Sequence, residues 1–278
     1  MMRPEGSPKH GGTLRTAFGV TTAHFDMHQG GSAPVLSQMY NGLVRRNLVD
    51  GLRTVVPDLA ESWEVSDDGL TYTFNLREGV TFHDGEPFTS ADVVATFNRI
   101  MDPPEGVVSV FGKELTMVDS VEAVDDLTVQ FNLNAPRAYF LDLLAGPPYI
   151  IYSKKSLEEN NYDLREVLAP GTGAFKYVDY QTAEKWDFER NPDYWDPELP
   201  YVDKLEMLHV PAWSDRGTAV LTDQADMSWN VAFETWTEGE NRDDIVGVNK
   251  LANFGAYWVF FNTNEPPFDD PRVRQAIN

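Results

Sequence analysis

Residues 57–85 constrain their own fold more tightly than any other stretch of this 278-residue chain, because apolar and polar side chains alternate on both sides of a glycine-containing turn. Trp63 and Val65 alternate with polar neighbours, Asp67-Asp68-Gly69 supplies the turn, and Tyr72, Phe74 and Leu76 alternate with Thr71, Thr73 and Asn75. A period of two sends one set of side chains to a core and the other to solvent, which predicts an antiparallel hairpin. His83-Asp84-Gly85 marks a second turn behind Val80 and Phe82. Thr89 then reads as a helix N-cap with Asp92 three residues on, Val93, Val94, Phe97 and Ile100 follow at helical spacing, and Pro103-Pro104 stops the helix.

The same grammar recurs downstream. Val121 and Ala123, a turn at Asp125-Asp126, and Leu127, Val129, Phe131 and Leu133 predict a second strand pair, and a short helix is expected around residues 139–144. Pro and Gly clusters punctuate the chain at 101–106, 146–148, 170–173 and 265–267. Residues 254–261 are nearly continuously apolar, as in a strand buried on both faces. Asp270 caps a final helix with Pro271 at its first position and Val273 and Ile277 on one face. Strands and helices are mixed throughout, so the class is α/β with much antiparallel character.

With 42% hydrophobic and 12% aromatic residues the chain has material for about two globular domains. The formal charge of −22 opposes association with phosphate backbones and anionic lipids, so a nucleic-acid partner is not expected. No apolar run approaches the ~20 residues that cross a bilayer, and residues 1–10 contain no stretch resembling a signal peptide. The expectation is a mature or signal-less form of an exported protein. There are no cysteines, hence no disulfide and no thiolate metal site.

The ordered blocks of this chain resemble family 5 of the extracellular solute-binding proteins of ABC transporters, the oligopeptide-, dipeptide- and nickel-binding group. The resemblance rests on the 57–85 segment, on Gly11-Gly12-Thr13-Leu14-Arg15, on Phe25-Asp26 where the family usually has Leu-Asp-Pro, and on Tyr40-Asn41-Gly42-Leu43. It continues through Pro170-Gly171-Thr172-Gly173-Ala174-Phe175-Lys176, Arg190-Asn191-Pro192-Asp193-Tyr194-Trp195, Phe261-Asn262 with Pro266-Pro267-Phe268-Asp269-Asp270, and Arg272-Val273-Arg274-Gln275-Ala276-Ile277. The resemblance implies a two-lobed, type II periplasmic-binding-protein-like fold. Domain I would comprise residues 1–46 and 170–255, interrupted by an inserted subdomain at 47–169. Residues 256–278 would be the hinge crossover and the start of a domain II that the chain leaves truncated.

What the resemblance implies for function is capture of a small solute, an oligopeptide or dipeptide by preference, outside the cytoplasmic membrane, and its delivery to an ABC permease. Oligosaccharides, opine-like compounds and metal chelates are the alternatives on the same scaffold. The full-length protein is expected to be a monomer without a cofactor. Phe25, Asp26, His28, Gly31, Ser32 and Ala33 are expected to line the interdomain cleft, with the backbone of 31–33 receiving an extended ligand in the manner of strand addition. Trp229, Tyr257, Trp258 and Asn262 complete the candidate binding set.

The enzymatic alternative, a hydrolase on this scaffold, lacks its motifs. There is no Gly-x-Ser-x-Gly elbow, His-Glu-x-x-His pair or Walker loop. Gly171-Thr172-Gly173 lacks the third glycine of a nucleotide fingerprint and reads as a tight turn; the Asp-Asp pairs fall in turns and at a helix start, where Asp caps backbone amides. His24 and His28 stand i,i+4, a spacing that holds a metal only on a helix, and Gly30-Gly31 follow at once, so no metal site is expected there. His83 is expected to be structural, and Trp63 and Trp195 to belong to the framework. A non-functional gene fragment is the third reading, distinguished by whether the reading frame continues past Asn278.

Overall fold

A computed structural model describes residues 8–247 and 262–277, which fall into two units. In the larger unit the strands are β1 (Thr13–Phe18), β2 (Val44–Arg46), β3 (Val55–Pro57), β4 (Ala60–Val65), β5 (Thr71–Leu76), β6 (Val118–Asp125), β7 (Thr128–Leu133), β8 (Phe175–Gln181), β9 (Lys185–Arg190), β10 (Lys204–His209) and β11 (Met227–Ser228). Its helices are α1 (Ala33–Leu36), α2 (Ser90–Met101), α3 (Phe140–Leu144), α4 (Lys154–Glu159), α5 (Trp213–Leu221) and α6 (Phe233–Glu240). In the smaller unit the described element is α7 (Pro271–Ile277), opened by Asp270, whose carboxylate accepts from Arg272 N at 2.8 Å.

The local readings hold. Trp63 pairs with Phe74 and Val65 with Tyr72 across the β4–β5 hairpin, and Gly69 turns it with φ +70°. β6 and β7 complete a four-stranded antiparallel sheet in the order β4-β5-β7-β6. α2 opens with a capping box: Thr89 N donates to the Asp92 carboxylate at 2.8 Å. The turn at His83-Asp84-Gly85 closes a bridge between Thr81 and Pro87 instead of full strands. Phe74, Phe97, Phe131 and Phe140 meet edge to face beneath the sheet, with centroids 4.8–5.7 Å apart along the chain of contacts.

The second sheet runs β11-β1-β10-β9-β8. β1 is parallel to both neighbours, Thr13 pairing with Lys204 and Thr16 with Met227, while β9 and β8 form an antiparallel hairpin on β10. Its core joins Phe18, Met27, Leu36, Met39 and Tyr40 to Ile150, Tyr152, Leu157, Leu164, Trp186, Phe188, Leu205 and Met207. Residues 150–169 therefore pack with the five-stranded sheet, on the far side of α2 from the 60–133 sheet. The seam between the two cores lies inside the segment expected to be one inserted module. Beyond residue 247 the expected strand at 254–261, with Tyr257 and Trp258, lies outside the described residues.

α2 stands on that seam with two different faces. Val93, Phe97 and Ile100 enter the phenylalanine-rich core. On the other side Thr96 Oγ1 exchanges hydrogen bonds with the Tyr152 backbone at 3.1 and 3.2 Å, and Arg99 reaches the loop after β1. Four of the sequence blocks also converge on one buried polar knot: Asn41 Nδ2 donates to the Asp58 carboxylate at 2.9 Å, Thr172 Oγ1 meets Asn41 Oδ1 at 3.2 Å, and Tyr194 joins at 3.3 Å. Burial lifts the Asp58 carboxyl to about 6. Gly171 and Gly173 pass so close to the Met39 backbone that a Cβ would lie 1.9 and 2.3 Å from its atoms. Their role is close approach of two backbones, with His83 N donating to Gly171 O and the His83 ring contacting Gly173 O at 3.0 Å.

Candidate functional site

In an open sheet with parallel strands, ligands gather outside the carboxyl ends, where the connecting loops splay apart. Here β1, β10 and β11 end at the same edge and send out residues 19–26, 210–212 and 229–232. One face of β1 carries Arg15, Ala17 and, past its end, Gly19; α5 covers that face with Ala219 and Val220 against Ala17. Ser228 pairs with Ala17 and so shares this face.

Arg216, in the first turns of α5, extends to this edge and lies flat over Gly19, whose Cβ position is 3.0 Å from Arg216 Cζ. The side chain is only 5% exposed, yet one Nη donates to Trp229 O at 3.2 Å and Nε has no partner. At the opposite end of the same face Arg15 is held by Asp226 through Nε at 3.2 Å and Nη2 at 2.8 Å. Among the described residues no carboxylate performs that service for Arg216.

Aromatic side chains rim the same edge. Trp213 opens α5 and its ring centroid is 5.9 Å from the Arg216 guanidinium; Trp229 follows β11; Phe233 opens α6 and is 78% exposed. Ala232 N donates to Trp213 O at 3.3 Å, which ties the β11–α6 loop to the start of α5. Large aromatics left open beside a sparsely bonded cation are what a small polar solute needs: rings to stack on and a fixed donor to orient it. A crevice on the other side of the edge, lined by Phe18, Val20, Thr21, Tyr180, Trp186 and His209, has a volume of about 10 Å³, room for one water. The open groove of about 510 Å³ along α2 is lined by Val94, Ala95, Asn98, Asp102, Lys154 and Tyr162 among others, and its Arg99 is already committed to Asp26.

The structure redistributes the residues expected to bind a ligand. Asp26 and His28 are wholly interior. The Asp26 carboxylate is paired with Arg99 and also accepts from Gln29 Nε2 at 3.0 Å and from His28 N at 3.1 Å. Burial alone would raise its carboxyl, but the Arg99 hydrogen bonds and charge prevail and hold it below the usual carboxylate value. Arg99 donates to His28 Nδ1 at 2.8 Å, so the imidazole is the neutral Nε2–H tautomer, which donates to Ile150 O at 3.1 Å. Burial, reinforced by the Arg99 charge, lowers this imidazole to about 4. With both nitrogens engaged, His28 has no lone pair for a metal or solute. Asp26 and His28 are an internal brace between the β1 loop and α2, a correction to their expected place in the cleft.

Gly31, Ser32 and Ala33 are likewise not an extended edge. Residues 27–29 form a 3-10 turn and α1 begins at Ala33; Gly31 N already donates to Asp26 O at 2.7 Å and Ser32 O accepts from Val35 and Leu36. Strand addition along 31–33 has no free ladder there, although the buried Ser32 Oγ lacks a partner. Phe25 packs edge-on against Tyr180 and Trp186. Asn262, in the smaller unit, is exposed and its side-chain carbonyl accepts from Asn264 N at 3.2 Å. Of the expected set, Trp229 is the one described residue that stands at the open edge. Sequence reading passed over Arg216; the available signal was a guanidinium early in the helix that follows a parallel strand, beside the small residue Gly217, which lets α6 approach closely.

Residues 54–278 match the sequence profile of the bacterial extracellular solute-binding proteins, family 5 Middle. The glutathione-binding protein GsiB of Pectobacterium atrosepticum is 30% identical over 254 residues, covering 91% of this chain and 48% of GsiB. Heme-binding protein A of Haemophilus influenzae is 34% identical over 265 residues, covering 87% of this chain and 47% of that protein. The periplasmic binding protein DppA of Helicobacter pylori, solved with the peptide STSA, superposes with a TM-score of 0.81 at 30% identity, covering 97% of this chain and 56% of DppA. The chain thus spans about half the length of the curated relatives it matches.

Proposed function

Because this chain belongs to the family 5 bacterial extracellular solute-binding proteins, we propose that it forms one wall of a solute-binding cleft in the substrate-binding component of an ABC importer. The observation that carries the reading is the open carboxyl edge of β1, β10 and β11, where Trp213, Trp229 and Phe233 surround Arg216. The solute is held there and not transformed: the edge presents rings, a guanidinium and backbone groups, and no nucleophile paired with a base. A second wall closing over the edge exchanges solvent for protein on the solute's far side, and this closure is what a permease recognises as loaded. The glutathione-binding and peptide-bound relatives support a small solute with peptide-like polarity, captured outside the cytoplasmic membrane, and the heme-binding relative keeps a non-peptide solute as the alternative. The domain limits 1–46, 47–169, 170–255 and 256–278 remain part of the same proposal; the packing of Ile150, Tyr152, Leu157 and Leu164 with the five-stranded sheet supports counting residues 150–169 with the first lobe.

Native mass spectrometry of the complete protein, purified without denaturation from its own export compartment, tests the reading. A bound small molecule released by mild unfolding is expected. A preparation that is ligand-free and takes up no peptide, glutathione or heme would contradict it.

A further inference from the structure

We propose that Arg216 is an anion anchor, the point at which this edge takes a carboxylate of the solute; the proposal rests on the solute-binding reading above. A buried guanidinium is costly unless hydrogen bonds or an opposite charge replace its lost hydration. Arg216 is 5% exposed, and among the described residues its one acceptor is Trp229 O at 3.2 Å and its Nε–H is unpartnered. Ser228 Oγ, on the same face of the sheet, is also buried without a partner. Two donors left unused on one face of the sheet, inside a fold that satisfies Arg15, Arg77 and Arg99 with acceptors, point to an acceptor supplied from outside the described chain.

The geometry narrows the chemistry. Arginine presents its N–H groups as a planar fork that matches the two oxygens of a carboxylate. Gly19, without a side chain, packs against one face of that fork, and the Trp213 ring centroid stands 5.9 Å from Cζ on the rim. A carboxylate bridging Nε and an Nη, with Ser228 Oγ donating to it, would satisfy both of these donors. A phosphate dianion fits less well, because the chain's net charge of −22 disfavours each further negative charge.

The test uses the complete protein and calorimetry with matched probes: the peptide STSA, its C-terminal amide, glutathione, and sodium propionate as the minimal carboxylate. Wild type is expected to prefer STSA to its amide by at least about tenfold, the worth of a charge-assisted pair. Arg216→Gln is expected to abolish that preference by weakening the acid far more than the amide, and Arg216→Lys to retain part of it. In ¹⁵N-labelled wild type, propionate should shift the Arg216 Nε–H resonance saturably, a signal absent from Arg216→Lys.

A preference that survives Arg216→Gln, or equal binding of acid and amide, overturns the anchor and leaves the solute-binding reading intact. A propionate response without peptide or glutathione binding keeps the anchor and removes the peptide class. No propionate response overturns the anchor whatever the peptides do. Thermal melting of the ligand-free protein separates a structural role: an anchor predicts that Arg216→Gln melts within a few degrees of wild type, whereas a sharp fall with unchanged acid preference assigns Arg216 to an internal ion pair of the complete protein.

Discussion

Replacing His28 with Gln should change how stability responds to acid, by an amount that the brace itself sets. The native imidazole is held near 4 because burial strips its hydration and Arg99 opposes a second positive charge; Asp26 and the Ile150 carbonyl pull the other way and lose. In the unfolded chain the same group titrates near 6.5. Between those values the unfolded state holds a proton that the native state refuses, so the stability His28 contributes is complete above pH 6.5 and is lost as pH falls through 4. A displacement of about two and a half units corresponds to about 3 kcal/mol. Asp58 acts in the opposite sense: its carboxyl sits at about 6 when native, so the native state binds a proton the unfolded state lacks, and stability falls by about 3 kcal/mol as pH rises from 4 to 6. His28→Gln keeps an acceptor for Arg99 and a donor for Ile150 O, removes one titration and exposes the other. Urea titrations followed by tryptophan fluorescence, at half-unit steps between pH 4 and 7, should show the wild-type advantage over His28→Gln shrinking by about 3 kcal/mol on acidification. Contributions from other groups, His83 among them, cancel in the difference. An advantage constant to within about 1 kcal/mol would refute the buried, neutral imidazole.

Other consequences are simpler. Asp26→Ala should cost about 3–5 kcal/mol, because it strands the Arg99 guanidinium in the interior; chemical denaturation reads it, and an effect under about 1 kcal/mol would mean the brace is not what joins the loop to α2. Gly171→Ala should abolish or severely weaken folding, since its Cβ would fall 1.9 Å from Met39 O, and a wild-type melting temperature contradicts the backbone approach. Phe131→Ala should lose about 3–5 kcal/mol from the aromatic cluster with Phe74, Phe97 and Phe140, measured by the same denaturation. Trp229→Ala should weaken solute binding by calorimetry about tenfold while leaving the circular dichroism of the fold unchanged; equal affinities place the solute elsewhere.

What the sequence disclosed and what it hid divide along the range of the interactions. The β4–β5 hairpin, the Thr89–Asp92 capping box and the β6–β7 pair are each decided within neighbouring stretches of the chain, so period, turn and cap residues sufficed. The brace joins Asp26 and His28 to Arg99 across 73 and 71 positions, and polar residues in a glycine-rich loop look the same whether they face a solute or a buried guanidinium. Arg216 was hidden for the converse reason. Between Asp215 and Gly217 it reads as an ordinary helix surface residue, and its burial comes from Gly19 and from the approach of α6, neither of which leaves a local pattern. The knot of Asn41, Asp58, Thr172 and Tyr194 shows a third case: the blocks were visible in order, while the single polar network that unites them became visible only with the fold.

We propose that this protein holds its solute at the carboxyl edge of the β1, β10 and β11 strands. A crystal structure of the complete protein with its co-purifying ligand tests it most directly. The ligand is expected against Trp213, Trp229 and Arg216, with Asp26, His28 and Arg99 untouched beneath it; a ligand seated in the α2 groove, or on the outer face of the β4–β7 sheet, would overturn this placement.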